Sequence, residues 1–192
     1  MKMSNKKISA MSYNEQKEIK PLIEDVIPEC LDGDMKKNAL DFVAYLRANK
    51  MKPVHDRINT WKATCKGKVI FYINLRQTET HQNNRTPFWD GKYWNMRIYL
   101  DHMNLYEKQI IDEGMQNLIW DNLNYCKKCV GADGVNKPKL CTKTITVLGK
   151  EINNFGCWPL ICAHNPDEAT INGIKRLLEL EKRAREEKAV KK

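Results

Sequence analysis

The hydrophobic positions of the chain follow helical spacing in several segments. In the clearest one, Ala39, Phe42, Val43 and Leu46 recur every three or four residues and would share one face of a helix. Similar stripes predict two more main helices, over 104–124 and 165–180, and a shorter helix over 15–26. Each main helix is expected to bury one apolar stripe against a common core.

Two local signals set the ends of these helices. In Asn165-Pro166-Asp167-Glu168, an asparagine cap is followed by proline at the first helical position and by a carboxylate three residues after the cap. Pro28 marks the other boundary, because the residue before a proline disfavours helical backbone. The last main helix should therefore be capped by Asn165, and the short helix should end before Pro28.

Other segments alternate with the period of a strand. Residues 59–66 place Trp61, Ala63 and Cys65 on one side, and a turn at Lys66-Gly67 then leads into a run of branched and aromatic residues. Cys65 is accordingly expected to be a packed thiol. Strands are predicted at 59–66, 69–75, 94–100, 144–148 and 151–155. The fold class is therefore α+β, a small antiparallel sheet of three to five strands flanked by about three main helices.

The organisation along the chain is that of one domain. The 192 residues contain no apolar run long enough to cross a membrane and no apolar stretch typical of a secretory signal. We expect a disordered N-terminal arm at 1–14, a single domain at 15–180 and a charged, frayed tail at 181–192. The expected location is cytoplasmic, with no membrane partner.

Net charge at first suggests a nucleic-acid partner, because the chain carries +9. The excess lies in residues 1–20, 127–150 and 175–192, whereas residues 21–126 hold fourteen basic and fourteen acidic side chains. Solvated tails explain this distribution better than a basic recognition face does. Nucleic-acid binding is therefore predicted to be weak or absent, and a small molecule or a protein is the expected partner.

A long polar connection lies between the second and third predicted strands. It runs from residue 76 to residue 92 and contains His81, Arg85 and Trp89. Connections of more than ~12–15 residues in compact domains are often functional. These three residues are candidates for a ligand loop, and a mobile hairpin tip is the alternative.

The segment 125–164 carries the strongest chemical signal. Five of the seven cysteines fall in it, Cys126, Cys129, Cys141, Cys157 and Cys162. Cys126 and Cys129 form a Cys-x-x-Cys pair in a turn-rich, lysine-rich setting, which can supply two ligands of a tetrahedral zinc ion. Cys141 is the expected third ligand, and Cys157, Cys162 and His164 compete for the fourth position.

Two other interpretations of these cysteines stay open. They can be unrelated buried thiols, or a redox or nucleophilic pair with a lowered thiol pKa. Low-pKa cysteines favour the N-terminus of a helix, whereas this pair follows the predicted C-terminus of the 104–124 helix, so the redox interpretation is disfavoured. A structural zinc site is the preferred hypothesis.

Four stretches, TWKATCKGKVIFYINL, YCKKC, TVLGKEI and NPDEATINGIKRLLEL, resemble a family of small bacterial proteins, chiefly of clostridial type. That family combines a Trp-Lys strand and a Lys-Gly-Lys turn with a cysteine-bearing C-terminal half. The resemblance covers roughly residues 36–180. It implies a bacterial, cytoplasmic origin and carries no catalytic residue, because the family has no known activity.

Three functions follow as hypotheses. The first is a non-enzymatic domain with a structural zinc, which binds a small molecule or a protein through the sheet and the 76–93 loop. The second is an enzyme or redox protein that uses a cysteine of the cluster with His164 or His81. The third is a zinc-containing, weak nucleic-acid binder. The chain contains no complete catalytic motif, so the first hypothesis is preferred.

Overall fold

The computed structural model describes residues 6–76, 92–123, 143–155 and 161–190. In these ranges the helices are α1 (Tyr13–Ile19), α2 (Ile23–Cys30), α3 (Gly33–Ala48), α4 (Glu107–Asp112), α5 (Gln116–Asp121) and α6 (Glu168–Val190). The strands are β1 (Val54–Arg57), β2 (Thr60–Cys65), β3 (Lys68–Arg76), β4 (Tyr93–Ile98), β5 (Lys143–Val147), β6 (Lys150–Phe155) and β7 (Ile161–His164). Short 3-10 turns cover Ile8–Ala10 and Met103–Leu105.

Within the described ranges, five strands form one antiparallel sheet and two form a separate hairpin. The sheet has the order β1-β2-β3-β4-β7, and β5 pairs with β6. The first four strands are neighbours in both sequence and space, whereas β7 joins the edge of β4 from the far end of the chain. This arrangement confirms the predicted α+β class.

One face of the sheet forms the hydrophobic core with the helices. A row of directly opposite residues, Trp61, Ile73, Met96 and Ala163, crosses it from β2 to β7, and all four side chains are buried. Buried residues of α2, α3 and α6 belong to the same cluster. Each large side chain contributes roughly 1.5–3 kcal/mol by leaving water, so this face holds the layers together.

The two predicted hairpins are present, and both turns use positive backbone φ. Lys66 and Gly67 have φ of 51° and 76° between β2 and β3, and Leu148 and Gly149 have φ of 52° and 79° between β5 and β6. A two-residue turn with positive φ at both positions matches the twist of antiparallel strands. The second turn therefore lies one residue earlier than the gap between the predicted strands 144–148 and 151–155.

Two predicted helices are each divided in the structure. The 104–124 helix is interrupted after α4, where Gly114 has φ of 67°, and resumes as α5. The 15–26 helix is interrupted at Lys20, which has φ of 46° and precedes Pro21. The hydrophobic period predicted helix in both segments, but these backbone conformations end a helix locally. The stripe expected to be buried along 104–124 is also incomplete, because Ile111 is 44 % exposed.

The boundary expected at Pro28 is wrong, because this proline lies inside α2. Its ring removes one helical hydrogen bond. The helix still continues to Cys30, since Val26, Ile27 and Cys30 are fully buried and stabilise it by packing.

The start of α6 also differs from the prediction. Asp167, rather than Asn165, accepts the capping hydrogen bond, from the backbone N–H of Thr170 at 2.8 Å. Asn165 has φ of 41°, and its side-chain oxygen accepts a hydrogen bond from the backbone N–H of Trp94 at 2.9 Å. Asn165 therefore closes the end of β7 against β4.

Both ends of the described chain are more structured than expected. Ser9, in the predicted N-terminal arm, is buried, and Ser12 forms a capping box with Glu15 at the start of α1. The predicted frayed tail from residue 181 is instead part of α6, in which Glu181 and Arg185 are buried. A charged segment predicts exposure to solvent, because the partners that bury Glu181 and Arg185 against the rest of the fold are distant in sequence.

None of the helices in the described ranges is both long and apolar enough to span a membrane.

Candidate functional site

Polar side chains line the sheet face that lies opposite the hydrophobic core. Thr60, Asn74, Asn95 and His164 are directly opposite one another on β2, β3, β4 and β7. Residues in register point to the same face. We call this set the amide row.

Hydrogen bonds connect the amide row from side to side. The Thr60 hydroxyl donates to Asn74 Oδ1 at 2.9 Å, and Asn74 Nδ2 donates to Asn95 Oδ1 at 2.7 Å. Asn95 Nδ2 then donates to Tyr93 Oη at 2.6 Å. Asn95 is only 3 % exposed, and a buried amide needs such partners to offset its lost hydration. These hydrogen bonds therefore hold the side chains of Asn74 and Asn95 in the orientation that places the Asn95 amide against the Tyr93 hydroxyl.

Tyr93 and His164 meet at the end of this chain of hydrogen bonds. Tyr93 Oη is 2.5 Å from His164 Nδ1, and the two rings stack with centroids 5.7 Å apart. A hydroxyl oxygen can accept from both Asn95 and a protonated Nδ1. That arrangement orients the imidazole and makes Nε2 the ring nitrogen that carries the lone pair.

The Nε2 atom of His164 faces a thiol. Cys162 lies two residues earlier on the same strand, so both side chains project from one face. Cys162 Sγ is 3.5 Å from His164 Nε2. Cys162 is 8 % exposed, whereas His164 is an exposed residue. This thiol–imidazole pair is the candidate functional site.

Backbone contacts hold the pair from the outer edge of the sheet. The N–H of Cys162 donates to the carbonyl of Asn122 at 2.8 Å, and Leu123 forms an antiparallel bridge with Ile161. The chain just after α5 therefore lies against the start of β7. Residue 123 is also the last described residue before the Cys-x-x-Cys pair.

A second cross-strand row runs beside the amide row on the same face. Val54, Lys62, Tyr72, Arg97 and Cys162 are directly opposite their neighbours on five strands. This basic–aromatic row places Tyr72 between two cationic side chains.

Further aromatic and charged groups flank the basic–aromatic row. The Tyr72 and Tyr99 rings have centroids 6.0 Å apart. Burial raises the pKa of Tyr99, the Tyr72 hydroxyl adds to the rise, and Arg97 and Arg57 oppose it. The strand register places Arg97 directly opposite Tyr72 and Arg57 directly opposite Thr60, so both cations belong to this face.

Most sequence-predicted site residues lie outside the described residues. These are the cysteines Cys126, Cys129, Cys141 and Cys157 and the loop candidates His81, Arg85 and Trp89. The described ranges contain no group of three or more histidine, cysteine, aspartate or glutamate side chains placed to hold a metal. Cys162 is the predicted ligand that the structure describes, and its neighbour there is His164, the competitor for the same fourth position.

The cysteines outside the cluster do not join this site. Cys30 is buried, and burial raises the pKa of its thiol to about 11. Cys65 packs partly against the core, and burial raises its pKa too. Both are packed thiols, as predicted for Cys65.

Sequence reasoning did not identify Tyr93, Asn95 or Asn74 as site residues. The alternation of β4 did place Asn95 on the polar side of its strand. The missing information was the presence of β7, because His164 reaches Tyr93 only when β7 pairs with β4.

Comparisons with models of protein families, with curated proteins and with solved structures gave no match to this chain. Function must therefore be argued from the geometry of the site.

Proposed function

We propose that this protein is a non-enzymatic binding domain whose C-terminal half is tied together by a structural zinc ion. Cys162 and His164 supply two of the ligands in this proposal. Cys126 and one further thiolate from the set Cys129, Cys141 and Cys157 supply the other two. The polar sheet face and the 76–93 loop form the surface that binds the partner.

The distance between Cys162 Sγ and His164 Nε2 carries the zinc proposal. Zinc binds sulfur at ~2.3 Å and imidazole nitrogen at ~2.0–2.1 Å, so two such ligands at a tetrahedral angle lie about 3.6 Å apart. The observed 3.5 Å fits that edge. Two side chains on one rigid strand thus have the spacing that a tetrahedral site requires.

The hydrogen bond at the other imidazole nitrogen supports the same interpretation. Histidine ligands of metals commonly donate their second ring N–H to an oxygen acceptor, which fixes the tautomer and the ring orientation. Tyr93 Oη is placed to accept from Nδ1. Asn95 holds that hydroxyl in turn, so the imidazole is oriented before any metal binds.

Chain length permits the remaining ligands to reach this point. Cys126 follows Leu123 by three residues, and an extended chain of that length spans at most ~11 Å. Cys157 precedes Ile161 by four residues, a span of at most ~14 Å. Leu123 and Ile161 are bridged to each other, so the connecting chain is long enough for both cysteines to reach Cys162.

The binding part of the proposal rests on where the 76–93 loop is attached. The last β3–β4 pair joins Arg76 to Tyr93, immediately beyond the Asn74–Asn95 pair of the amide row. The loop therefore leaves and re-enters the sheet at the end that carries the His164 site. A partner bound there would contact the loop and the polar face together.

Elemental analysis of protein purified without added metal tests the zinc proposal. We expect one zinc per chain, and its loss in Cys162→Ser and Cys126→Ser. Cys65→Ser serves as the matched control and should retain the metal. Zinc binding adds to folding free energy, by up to ~10 kcal/mol in small zinc modules and by less where a separate core exists.

Hydrogen exchange adds a second measurement to that test. In Cys126→Ser, residues 143–164 should exchange faster, while β2, β3 and α3 keep their protection. If the purified protein holds no stoichiometric metal and a strong chelator leaves both the thermal midpoint and the thiol reactivity unchanged, the zinc proposal is wrong.

A cysteine-dependent enzyme is the second candidate, and the same triad of side chains favours it. A nucleophilic thiol needs a base within reach and a third group that orients the base. Cys162, His164 and Tyr93 have that order. Rapid labelling of Cys162 by iodoacetamide in metal-free protein, abolished by His164→Ala, would favour the enzyme over the zinc domain.

A further inference from the structure

We propose that the polar face of the five-stranded sheet binds single-stranded nucleic acid through the basic–aromatic row. The inference rests on the proposed function only where that function makes this face a binding surface. It does not depend on the zinc ion. The evidence comes from side chains of β1 to β4 and from Tyr99, directly after β4, all of which precede the cysteine segment.

The register of the sheet places an aromatic ring between two cations. Lys62 on β2 and Arg97 on β4 are each directly opposite Tyr72 on the central strand β3. Neighbouring strands are ~4.8 Å apart. A single strand that crosses the sheet could place a phosphate near each cation while the base between them, which branches from the sugar, stacks on the ring of Tyr72.

A second ring extends the surface on which bases could stack. Tyr99 follows Arg97 by two residues, and its ring lies 6.0 Å from that of Tyr72 at an interplanar angle of 59°. Both tyrosines are partly exposed on the strand face. Aromatic side chains on an open sheet are a common platform for unpaired bases, because every base has a π-face.

The local charge is positive although the surrounding segment is neutral. Arg57, Lys62 and Arg97 supply three positive charges. Asp56, which pairs with Lys62 at 2.5 Å and with Arg57 at 3.2 Å, supplies one negative charge, and Asp101, whose charge acts on Tyr99, supplies a second. No carboxylate among the described residues forms an ion pair with Arg97, which is exposed.

Residues 21–126 hold fourteen basic and fourteen acidic side chains, so the net charge of this segment does not reveal the patch. Many of the balancing acidic residues lie on other elements, for example Glu24 and Asp25 on α2 and Asp41 on α3. Folding separates the two signs in space. The strand face thus has the cations and interleaved aromatics that a nucleic-acid surface needs.

An acidic peptide is the main competing occupant of this face. It would satisfy Arg97 and Lys62 but would gain little from Tyr72 and Tyr99. A nucleic-acid strand uses both kinds of group, because its bases stack on rings and its phosphates bind cations. The combination of rings and cations therefore favours nucleic acid. The contribution of Tyr72 separates the two occupants.

Fluorescence anisotropy with labelled oligonucleotides of roughly ten nucleotides tests the inference. Single-stranded RNA and single-stranded DNA form separate arms, with duplex DNA of the same sequence as a third. We expect both single strands to bind more tightly than the duplex. Loss of Tyr72 in Tyr72→Ala should weaken binding roughly 5- to 150-fold, as for other base–aromatic contacts. Tyr72→Phe, which keeps a ring, should restore most of the affinity.

Salt dependence tests the role of the cations. Each phosphate contact on a single strand contributes about −0.7 to the slope of log K against log salt, so Arg97→Ala should reduce the slope by about that amount. Tyr13→Ala and Arg183→Ala are the matched controls, because Tyr13 is 44 % exposed on α1 and Arg183 is exposed on α6. Neither control should change affinity more than twofold.

Three results would overturn the inference. The first is no binding of any oligonucleotide at low salt by folded protein. The second is equal loss of binding in the controls and in the Tyr72 and Arg97 variants, which would assign binding to diffuse charge. The third is equal binding of a poly-glutamate peptide, which would assign the face to acidic peptides.

Zinc content measured on the same samples keeps this test separate from the proposed function. Protein without zinc that still binds with the expected Tyr72 and Arg97 dependence leaves the inference standing and removes the zinc. Protein with one zinc that binds no oligonucleotide removes the inference alone.

Discussion

Arg185 and Glu181 form an ion pair inside the protein, with Arg185 Nε donating to Glu181 Oε1 at 2.7 Å. Both side chains are almost fully buried, and they lie one turn apart on α6. The Glu181 carboxylate also accepts hydrogen bonds from the backbone N–H and Nδ1 of His102 and from the Tyr106 hydroxyl. A buried charge of this kind is tolerated because each of its atoms has a partner.

The guanidinium of Arg185 connects α6 to the end of the sheet. It donates to the backbone carbonyls of Lys68, Val69 and Tyr99 and to the carboxylate of Asp101 at 3.0 Å. The ion pair thus joins the helix to β3 and to the chain that follows β4. Apart from Glu181, the hydrogen-bond partners of Arg185 are all distant in sequence from α6.

Removal of Glu181 should therefore be severe. In Glu181→Ala the Arg185 charge stays buried without its nearest carboxylate, and we expect a loss of about 3–5 kcal/mol in the free energy of unfolding. Urea denaturation followed by circular dichroism measures it. Glu186→Ala, at an exposed position on the same helix, should change stability by less than about 0.5 kcal/mol. Similar losses of unfolding free energy in both variants would show that the buried ion pair stabilises the protein no more than an exposed side chain does.

A close approach between α6 and α5 predicts an energetic coupling. A Cβ atom built at Gly173 would lie 2.4 Å from Leu118 Cδ2. Gly173→Ala should cost about 1–3 kcal/mol because Leu118 must move, offset in part by ~1 kcal/mol of helix propensity. In a Leu118→Ala background the same substitution should be neutral or stabilising.

A double-mutant cycle on urea denaturation measures that coupling. Asn172→Ala, at the adjacent exposed position of α6, is the control and should show no coupling to Leu118. Equal effects of Gly173→Ala in both backgrounds would contradict the predicted contact.

Acid should weaken the contact between α6 and the end of α4. Hydrogen bonds from Arg176 and then Gln109 lower the pKa of Glu113 to about 2. Because the folded pKa lies below the unfolded value of ~4.3, the contribution of Glu113 is complete above that value and is lost as pH falls toward 2. Arg176→Ala should reduce this part of the acid sensitivity.

The measurement is the urea midpoint between pH 6 and pH 2.5 in the wild type and in Arg176→Ala. Lys188→Ala, exposed near the end of α6, is the charge-matched control and should follow the wild-type curve. Parallel curves for the wild type and Arg176→Ala would mean that Glu113 draws its low pKa from another source.

Tyr93 should act on zinc affinity without contacting the metal. Tyr93→Phe removes the oxygen beside His164 Nδ1, and loss of such a hydrogen bond to a histidine ligand typically weakens metal binding ~10–100-fold. Competition with a chromogenic chelator measures the change. In Tyr45→Phe, which removes the hydroxyl that donates to the Lys175 carbonyl, zinc affinity should stay at the wild-type value. Equal affinities in both variants would exclude Tyr93 from the site.

Local patterns in the sequence predicted the central hairpin, the third strand, the β5–β6 hairpin and α3. In these cases the hydrophobic period and a turn signal lie within one segment, as for Trp61 and Ala63 before Lys66-Gly67. The information that defines such an element is contained in its own residues.

Sequence could not predict the elements that depend on distant partners. β1 and β7 have only four residues each, and β7 is stabilised by pairing with β4 and by the bridge from Leu123. The sequence offers Cys162 and His164 as competing zinc ligands, and His164 as the partner of an unspecified cysteine, but it does not show that these two side chains meet until their strand is known. The burial of Glu181 and Arg185 in α6 could not be predicted for the same reason.

The attachment of β7 to β4 also has a kinetic consequence. Strands β1 to β4 pair with their neighbours in sequence, the longest connection among them being residues 77–92, whereas residues 99–160 must be folded back before β7 can pair. Closing so long a loop slows folding more than it reduces stability. During that interval the edge of β4 is an unpaired strand with a hydrophobic side, and such an edge can recruit a second chain. Refolding yield should accordingly fall with protein concentration, as chains that meet before β7 arrives pair with each other through β4.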